Sequence, residues 1–188
     1  MPIDLYLVRH GETAWTRSGQ HTGRTDLPLL PEGEVQAGRL GRRLAGIRFV
    51  AAFSSDLRRT LRTAELAGFP APSRTPLLRE FDYGDYEGLT SQEIWASRPG
   101  WQIYEDGCPG GETPAQVYRR ALEFIRHLEG LEGPVIAFSH GHFSRALAVA
   151  WTDLGIAAAA RLALDTASLS VLREGERGRV IQLWNLVP

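Results

Sequence analysis

Two short stretches of this 188-residue chain carry the same chemistry far apart in sequence: Arg9-His10-Gly11 and Ser139-His140-Gly141. Each follows an apolar run, residues 3–8 and 135–138, so each histidine falls where a buried strand ends. In open α/β sheets, ligands gather beyond the carboxyl ends of the strands, and two parallel strands would bring both imidazoles to one edge. The glycine after each histidine lets the backbone turn sharply and a ligand come close. A neutral imidazole is a nucleophile, and a guanidinium fork holds two oxygens of a phosphate at once. Arg59, just after a third strand at 50–53, can reach the same edge, whereas Arg58 and Arg62 read as a solvated helix face. Together these residue types point to phosphoryl transfer.

A proton donor is the remaining part. Residues 77–88 mix acids with aromatic and apolar side chains. A carboxyl among rings is desolvated, which favours its protonated form and suits a general acid. Glu80, Asp82, Asp85 and Glu87 are all candidates, and the residues alone do not choose among them.

The elements that must position these groups follow from the same string. After the first strand a polar, glycine-containing loop runs over 12–31. Ala37, Leu40, Leu44 and Ile47 recur at helical spacing. Ser54-Ser55 reads as the cap of a helix with Leu57, Leu61 and Ala64 on its inner face. Thr113-Pro114-Ala115-Gln116 is a helix start with a capping box, and Val117, Ala121, Phe124 and Leu128 form its apolar stripe. A helix follows Gly141 through Ala150. Residues 168–172 and 180–184 read as late strands joined by a charged turn at 175–178, and Ala157 to Ala160 as a small-residue patch on or near a helix. Residues 70–111 are irregular and rich in Pro, Gly and aromatics, as befits short helices and loops over a site. Strands alternating with helices predict an α/β class, a three-layer α/β/α sandwich with a mostly parallel central sheet, formed by one domain over 1–188.

The motifs, in order, also resemble a family. The segments 7–13 (LVRHGET), 22–29 (TGRTDLPL), 54–60 (SSDLRRT), 83–88 (YGDYEG), 139–141 (SHG) and 166–172 are similar to those of the histidine phosphatase superfamily, the phosphoglycerate mutase-like proteins. The resemblance spans nearly the whole chain. It implies that His10 is the phosphorylated nucleophile and that Arg9, Arg59 and a charged His140 hold the transferred group. It makes Glu80 the proton donor and acceptor, and it places Thr16, Thr22, Gly23, Tyr83, Gly141 and His142 around the substrate. Thr16, Leu30 and Thr60 depart from residues common in the family. His10 should attack as the neutral imidazole, its other ring nitrogen donating to a backbone carbonyl. No metal and no cofactor is implied.

Hydrolysis and phosphoglycerate mutation share this chemistry. No arginine follows Glu80 directly, His142 stands where mutases carry Asn, and the chain is short. Segments 19–23 and 106–112 instead resemble the acid phosphatase and sugar-bisphosphatase branches. The expected activity is therefore a metal-independent phosphomonoesterase acting on small phosphorylated metabolites, with an acidic optimum, and the alternative is a phosphoglycerate mutase.

Other classes fit less well. Residues 137–141 nearly match a serine-hydrolase elbow, but that fold needs a base histidine late in the chain, and the last histidine is His142. His140 and His142 could enter a metal site, but flanking arginines oppose a dication. A pure binding module has no use for an acid aimed at a leaving group. A formal net charge of −1 offers no field to nucleic acid or an acidic membrane. A single cysteine, Cys108, and no signal-like or spanning apolar run predict a cytoplasmic protein. Many relatives in the family form a homodimer.

Overall fold

The computed structural model describes residues 2–176 and 178–188. Among the described residues, six strands form one sheet: β1 (Ile3–Arg9), β2 (Ala51–Ser54), β3 (Ser73–Arg74), β4 (Gly133–Ser139), β5 (Leu169–Gly175) and β6 (Gly178–Leu186). Their spatial order is β3-β2-β4-β1-β5-β6. The pairs β3–β2, β2–β4 and β4–β1 are parallel, and β5 runs antiparallel to both of its neighbours. The sheet is therefore mostly parallel, with one reversed strand near its edge. The late strands expected at 168–172 and 180–184 are β5 and β6; Arg177, within the charged turn expected at 175–178, lies outside the described residues.

Alternation along the central strands explains why both faces need covering. Ile3, Leu5 and Leu7 of β1 and Val135 and Ala137 of β4 enter one core, while Val8, Ile136 and Phe138 enter the other. The second core is closed by Leu40 and Leu44 of α2 (Pro31–Leu44) and by Ala64 of α3 (Arg58–Leu66). The first is closed by α6 (Pro114–His127) and α7 (Gly141–Trp151), through Val117, Ala121, Phe124, Phe143, Ala146 and Leu147. Each large apolar side chain fully removed from water contributes about 1.5–3 kcal/mol, so the pleat makes helices on both faces obligatory. The capping box of Thr113 and Gln116 opens α6 as the sequence suggests.

Three local readings change. The face of α3 turned inward is Arg59, Thr60, Thr63 and Ala64, with Leu57 and Leu61 only half-buried; its cap is Leu57, not the serines. The helix is drawn in by polar groups because the site lies at its start. The loop after β1 holds a short helix, α1 (Ala14–Ser18), closed by reciprocal bonds between Thr13 and Thr16. The glycine after each histidine serves packing. A Cβ on Gly11 would lie 2.4 Å from the Gly33 carbonyl oxygen, and one on Gly141 would press on the Arg9 guanidinium. Over 70–111 the chain forms 3-10 turns at Pro76–Leu78 and Gly84–Tyr86 and two short helices, α4 (Ser91–Ser97) and α5 (Ile103–Asp106). Residues 157–160 lie in a further 3-10 helix, Ile156–Arg161.

Candidate active site

The register of the central pair sets the site. Arg9 lies opposite Ser139, so His10 and His140 each leave the sheet one residue beyond a paired position. The His10 amide donates to the Ser139 carbonyl at 3.0 Å. The two imidazole centroids stand 5.1 Å apart and both rings are buried.

His10 Nδ1 lies 2.8 Å from the Gly11 carbonyl oxygen. A carbonyl only accepts, so the proton sits on Nδ1 and Nε2 keeps its lone pair. Burial, then the charges of Arg59 and Arg9, hold this imidazole well below the ordinary histidine value. The ring is therefore the neutral nucleophile that the chemistry requires.

His140 differs from expectation. Arg59 Nε donates to its Nδ1 at 3.1 Å, which leaves no room for a proton there. Burial and Arg59, with His10 beyond, push its pKa well below the ordinary value. His140 is thus a neutral ring that presents Nε2–H, not the imidazolium the family resemblance implies. The rest of Arg59 is turned to the backbone: Nη1 to the Thr25 carbonyl, Nη2 to those of Thr22 and Gly23. Arg59 orients His140 and ties down the 22–25 loop in addition to lending its charge.

Arg9 Nη1 is anchored on the Leu164 carbonyl. Its Nε and the Nε2 of His140 are buried and have no hydrogen-bond partner among the described residues. Leaving either donor unmet costs about 1–3 kcal/mol, so each calls for an acceptor; Arg9 and His10 line one cavity, of which Arg59 and His140 are not lining residues.

The four candidate acids now separate. Glu80 is buried and lines the His10 cavity, a polar space of about 190 Å³. Its Oε1 accepts from the amides of Phe81 and Phe143, and its Oε2, among the described residues, from that of His142 alone, at 3.0 Å. The carboxyl therefore sits at the N-terminus of α7, with Oε2 retaining a lone-pair direction for a proton. Arg120 fixes the backbone behind it by donating to the Glu80, Arg79 and Leu77 carbonyls. Glu87 instead grips the amides of Gly23 and Thr25, and Asp82 pairs with Arg24. Asp85 is exposed and lies against Gly110.

Of the expected surrounding residues, Thr16, Thr22, Tyr83, Gly141 and His142 line the same cavity. Thr16's hydroxyl is taken up by the α1 capping box, donating to the Thr13 carbonyl and accepting from its amide. Gly23 does not line that cavity. It belongs to a neighbouring one, and a Cβ there would meet the Phe81 carbonyl oxygen and Glu87 Oε2, each at 2.7 Å. Tyr83 OH meets His142 Nδ1 at 2.6 Å; burial keeps the phenol well above its usual value, so it donates. Gly19, Gln20 and His21, from the segment whose resemblance pointed to phosphatases, also line it, as do Trp15, Ser91 and Arg145, which the sequence reading did not single out. For Arg145 a signal existed, since it is four residues after Gly141 on a helix that opens at the site.

Other side chains with nucleophilic atoms are otherwise engaged. Ser139 Oγ donates to the Leu78 carbonyl at 2.8 Å. Cys108 is buried and its thiol is pushed up to about 12 by that burial, then by Asp82 and Glu112. Among the described residues, no group of three or more His, Cys, Asp or Glu is arranged to hold a metal ion, and no helix is long and apolar enough to cross a membrane.

The buried rings have a cost in acid. His10, His140 and His142 all have folded-state values depressed below 6.5, with burial the largest cause in each. The unfolded chain takes up protons at these positions below about pH 6.5, while the folded chain does so only well below that. Their stabilisation is present above about pH 6.5 and is lost as the pH falls, by about 1.4 kcal/mol per pH unit for each ring. The melting temperature, followed by circular dichroism in phosphate-free buffer, is expected to fall steeply between pH 6.5 and 5. A flat or rising profile would contradict neutral burial of these rings.

Comparison with known proteins places the arrangement. The pattern of the histidine phosphatase superfamily (branch 1) matches residues 5–187. An acid phosphatase of Mycobacterium tuberculosis is 44% identical over 171 residues, covering 89% of this chain and 84% of its own. A sedoheptulose 1,7-bisphosphatase of Saccharomyces cerevisiae is 37% identical over 183 residues, covering 80% of this chain and 68% of its own. The solved structure of an open reading frame product of Mycobacterium tuberculosis superposes with a TM-score of 0.94 at 41% identity, covering 98% of this chain and 97% of that one.

Proposed function

The chain belongs to branch 1 of the histidine phosphatase superfamily, as a phosphatase of that kind, and from this premise we propose that it hydrolyses small phosphorylated metabolites through a phosphohistidine on His10. The observation that carries the reading is the pair of unmet buried donors, Arg9 Nε and His140 Nε2, on the residue preceding His10 and on the ring 5.1 Å from it. A phosphoryl group supplies the acceptors both lack.

The reaction runs in two halves. His10 Nε2 forms a bond to phosphorus as the ester P–O bond breaks, in line. Glu80 Oε2 delivers its proton to the leaving alkoxide. Arg9, the Arg59 charge and the His140 N–H hold the equatorial oxygens. Water then attacks the phosphohistidine, giving its proton back to Glu80 as the N–P bond breaks. These cationic and N–H donors do the work that a metal does elsewhere, so the reaction proceeds without one. The acidic optimum follows from the need for a protonated donor, and the depressed value of His10 keeps the nucleophile neutral there. The acid phosphatase and sugar-bisphosphatase names of the two relatives favour hydrolysis and a small polyhydroxylated metabolite. A cavity of about 190 Å³ suits a substrate of that size. A lone, buried cysteine suits the cytoplasm.

Brief mixing with a labelled phosphomonoester and quenching in alkali is expected to trap label on His10, stable to base and lost in acid. Label on Ser139 or Cys108 would overturn the mechanism. The same preparation, given 3-phosphoglycerate with and without 2,3-bisphosphoglycerate, should release phosphate faster than it isomerises the substrate. The reverse order would make it a mutase with the His10 chemistry intact.

A further inference from the structure

Two further imidazoles, those of His21 and His142, line the His10 cavity, and the proposed chemistry uses neither ring. They lie nearly parallel, tilted by 16° with centroids 5.8 Å apart. Each is pinned through Nδ1, but in opposite senses. His21 Nδ1 lies 2.7 Å from the Leu89 carbonyl oxygen, which also accepts from the His21 amide at 2.9 Å. A carbonyl only accepts, so the proton of His21 is on Nδ1 and its Nε2 is a bare acceptor. His142 Nδ1 meets the Tyr83 hydroxyl at 2.6 Å, and that hydroxyl has no other partner among the described residues. The phenol proton therefore goes to Nδ1, and His142 carries its own proton on Nε2. One ring offers a lone pair, the other an N–H.

Both rings are held in place and neutral. The Tyr83 ring packs edge-on against each, 4.8 Å from His21 and 5.7 Å from His142, and Trp101 packs on His21 at 5.6 Å. The Tyr104 hydroxyl donates to the His142 carbonyl at 2.9 Å. Burial lowers the pKa of His21, and burial followed by the Arg145 charge takes His142 well below the ordinary histidine value, so neither ring is charged near pH 7. Neither Nε2 has a hydrogen-bond partner among the described residues. Neither is sealed in the interior, because the fully buried side-chain atoms without a partner are Arg9 Nε, His140 Nε2 and Ser144 Oγ. Both nitrogens therefore lie open on the cavity that the rings line.

We propose that, on the phosphatase reading above, His21 and His142 form a donor–acceptor pair that selects substrates by a hydroxyl near the ester, with Tyr83 as the positioning residue that holds the His142 tautomer. A phosphate or carboxylate oxygen accepts from His142 but faces the His21 lone pair with nothing to donate. An ammonium has the opposite fault. A hydroxyl donates to one ring and accepts from the other. One hydroxyl, or two on neighbouring carbons, satisfies both nitrogens. Because the cavity is only about 190 Å³, that hydroxyl sits on one of the first few carbons from the ester oxygen.

The test uses four phosphates of equal charge: glycerol 3-phosphate, the monophosphates of 1,2-propanediol (on its primary hydroxyl) and 1,3-propanediol, and propyl phosphate. In the wild-type enzyme, kcat/KM for phosphate release is expected to fall by about 10–100-fold from glycerol 3-phosphate to propyl phosphate, the range of one or two neutral hydrogen bonds. The diol phosphate that keeps the higher value identifies the hydroxyl. Nitrogen-15 spectra of the resting enzyme at pH 7 should show opposite tautomers, Nδ1–H on His21 and Nε2–H on His142. Tyr83→Phe should let His142 populate both tautomers and shrink the hydroxyl preference to within about 3-fold. His21→Phe, which keeps a ring but no acceptor, should shrink it likewise, and His21→Gln should restore part of it. Like values for all four substrates in the wild type overturn the assignment while leaving the phosphatase standing. The same tautomer on both rings overturns it as well, and so does a loss in Tyr83→Phe that falls equally on glycerol 3-phosphate and propyl phosphate. No release from any of the four, with no label on His10, is the separate failure of the phosphatase reading itself. The wild-type series and spectra stand even if a variant does not fold.

Discussion

His10→Ala is expected to lower kcat by at least about three orders of magnitude, with the fold retained. The size of the effect follows from what is removed. Nε2 keeps the lone pair that attacks phosphorus, made available because the Gly11 carbonyl holds the proton on Nδ1. No neighbour is placed to replace it: Ser139 Oγ is tied to the Leu78 carbonyl, and the Cys108 thiol, pushed up to about 12, is not ionised near neutrality. Stability should hold or rise in mild acid, since a buried ring that resists protonation has been removed. Wild-type activity should survive extensive dialysis against a chelator. The measurement is steady-state turnover of an aryl phosphate by metal-free wild type and variant. A variant within tenfold of wild type, or a wild type silenced by the chelator and revived by zinc, would defeat the histidine mechanism.

The second large effect concerns Glu80. Glu80→Gln is expected to slow release of alkyl phosphates by about 10²–10⁴-fold, and that of aryl phosphates much less. An alkoxide leaves poorly without a proton, whereas an activated phenoxide leaves without one. Glutamine keeps the side-chain shape and one acceptor oxygen for the amides of Phe143 and Phe81, so the start of α7 stays supported. The comparison of the two leaving groups is therefore the decisive reading. Equal losses on both would mean that Glu80 acts as a clamp on that helix, and the proton would have to come from elsewhere.

The sequence made some of this arrangement readable and hid the rest, for physical reasons. Arg9, His10 and His140 were legible because a strand-length apolar run marks a strand end without any knowledge of the partner strand. The layers were legible for the same reason, since β1 and β4 bury residues on both faces. The state of His140 was not. Its tautomer depends on Arg59, 81 residues away, and no local pattern encodes that hydrogen bond. The inner face of α3 was misread because leucines at helical spacing look like core. In fact the helix turns Arg59 and Thr63 inward, Thr63 accepting from the Gly11 amide. Among the acids of 77–88, composition could not distinguish Glu80 from Glu87. The difference lies in which distant amides each one meets, those of α7 or those of the 22–25 loop.

The position of β1 also governs when the enzyme can come into being. This first strand lies between β4 and β5, whose pairing residues begin at Gly133 and Leu169. During synthesis its apolar faces, with Leu5, Leu7 and Val8, emerge more than a hundred residues before either neighbour exists. The nascent chain must keep an exposed strand from finding a wrong edge throughout that interval. The helices can form early, but closing the centre of the sheet spans loops of great length and belongs to the slow part of refolding. His10 and His140 meet only when that centre closes, so catalytic competence is acquired late, after most of the helical signal has returned.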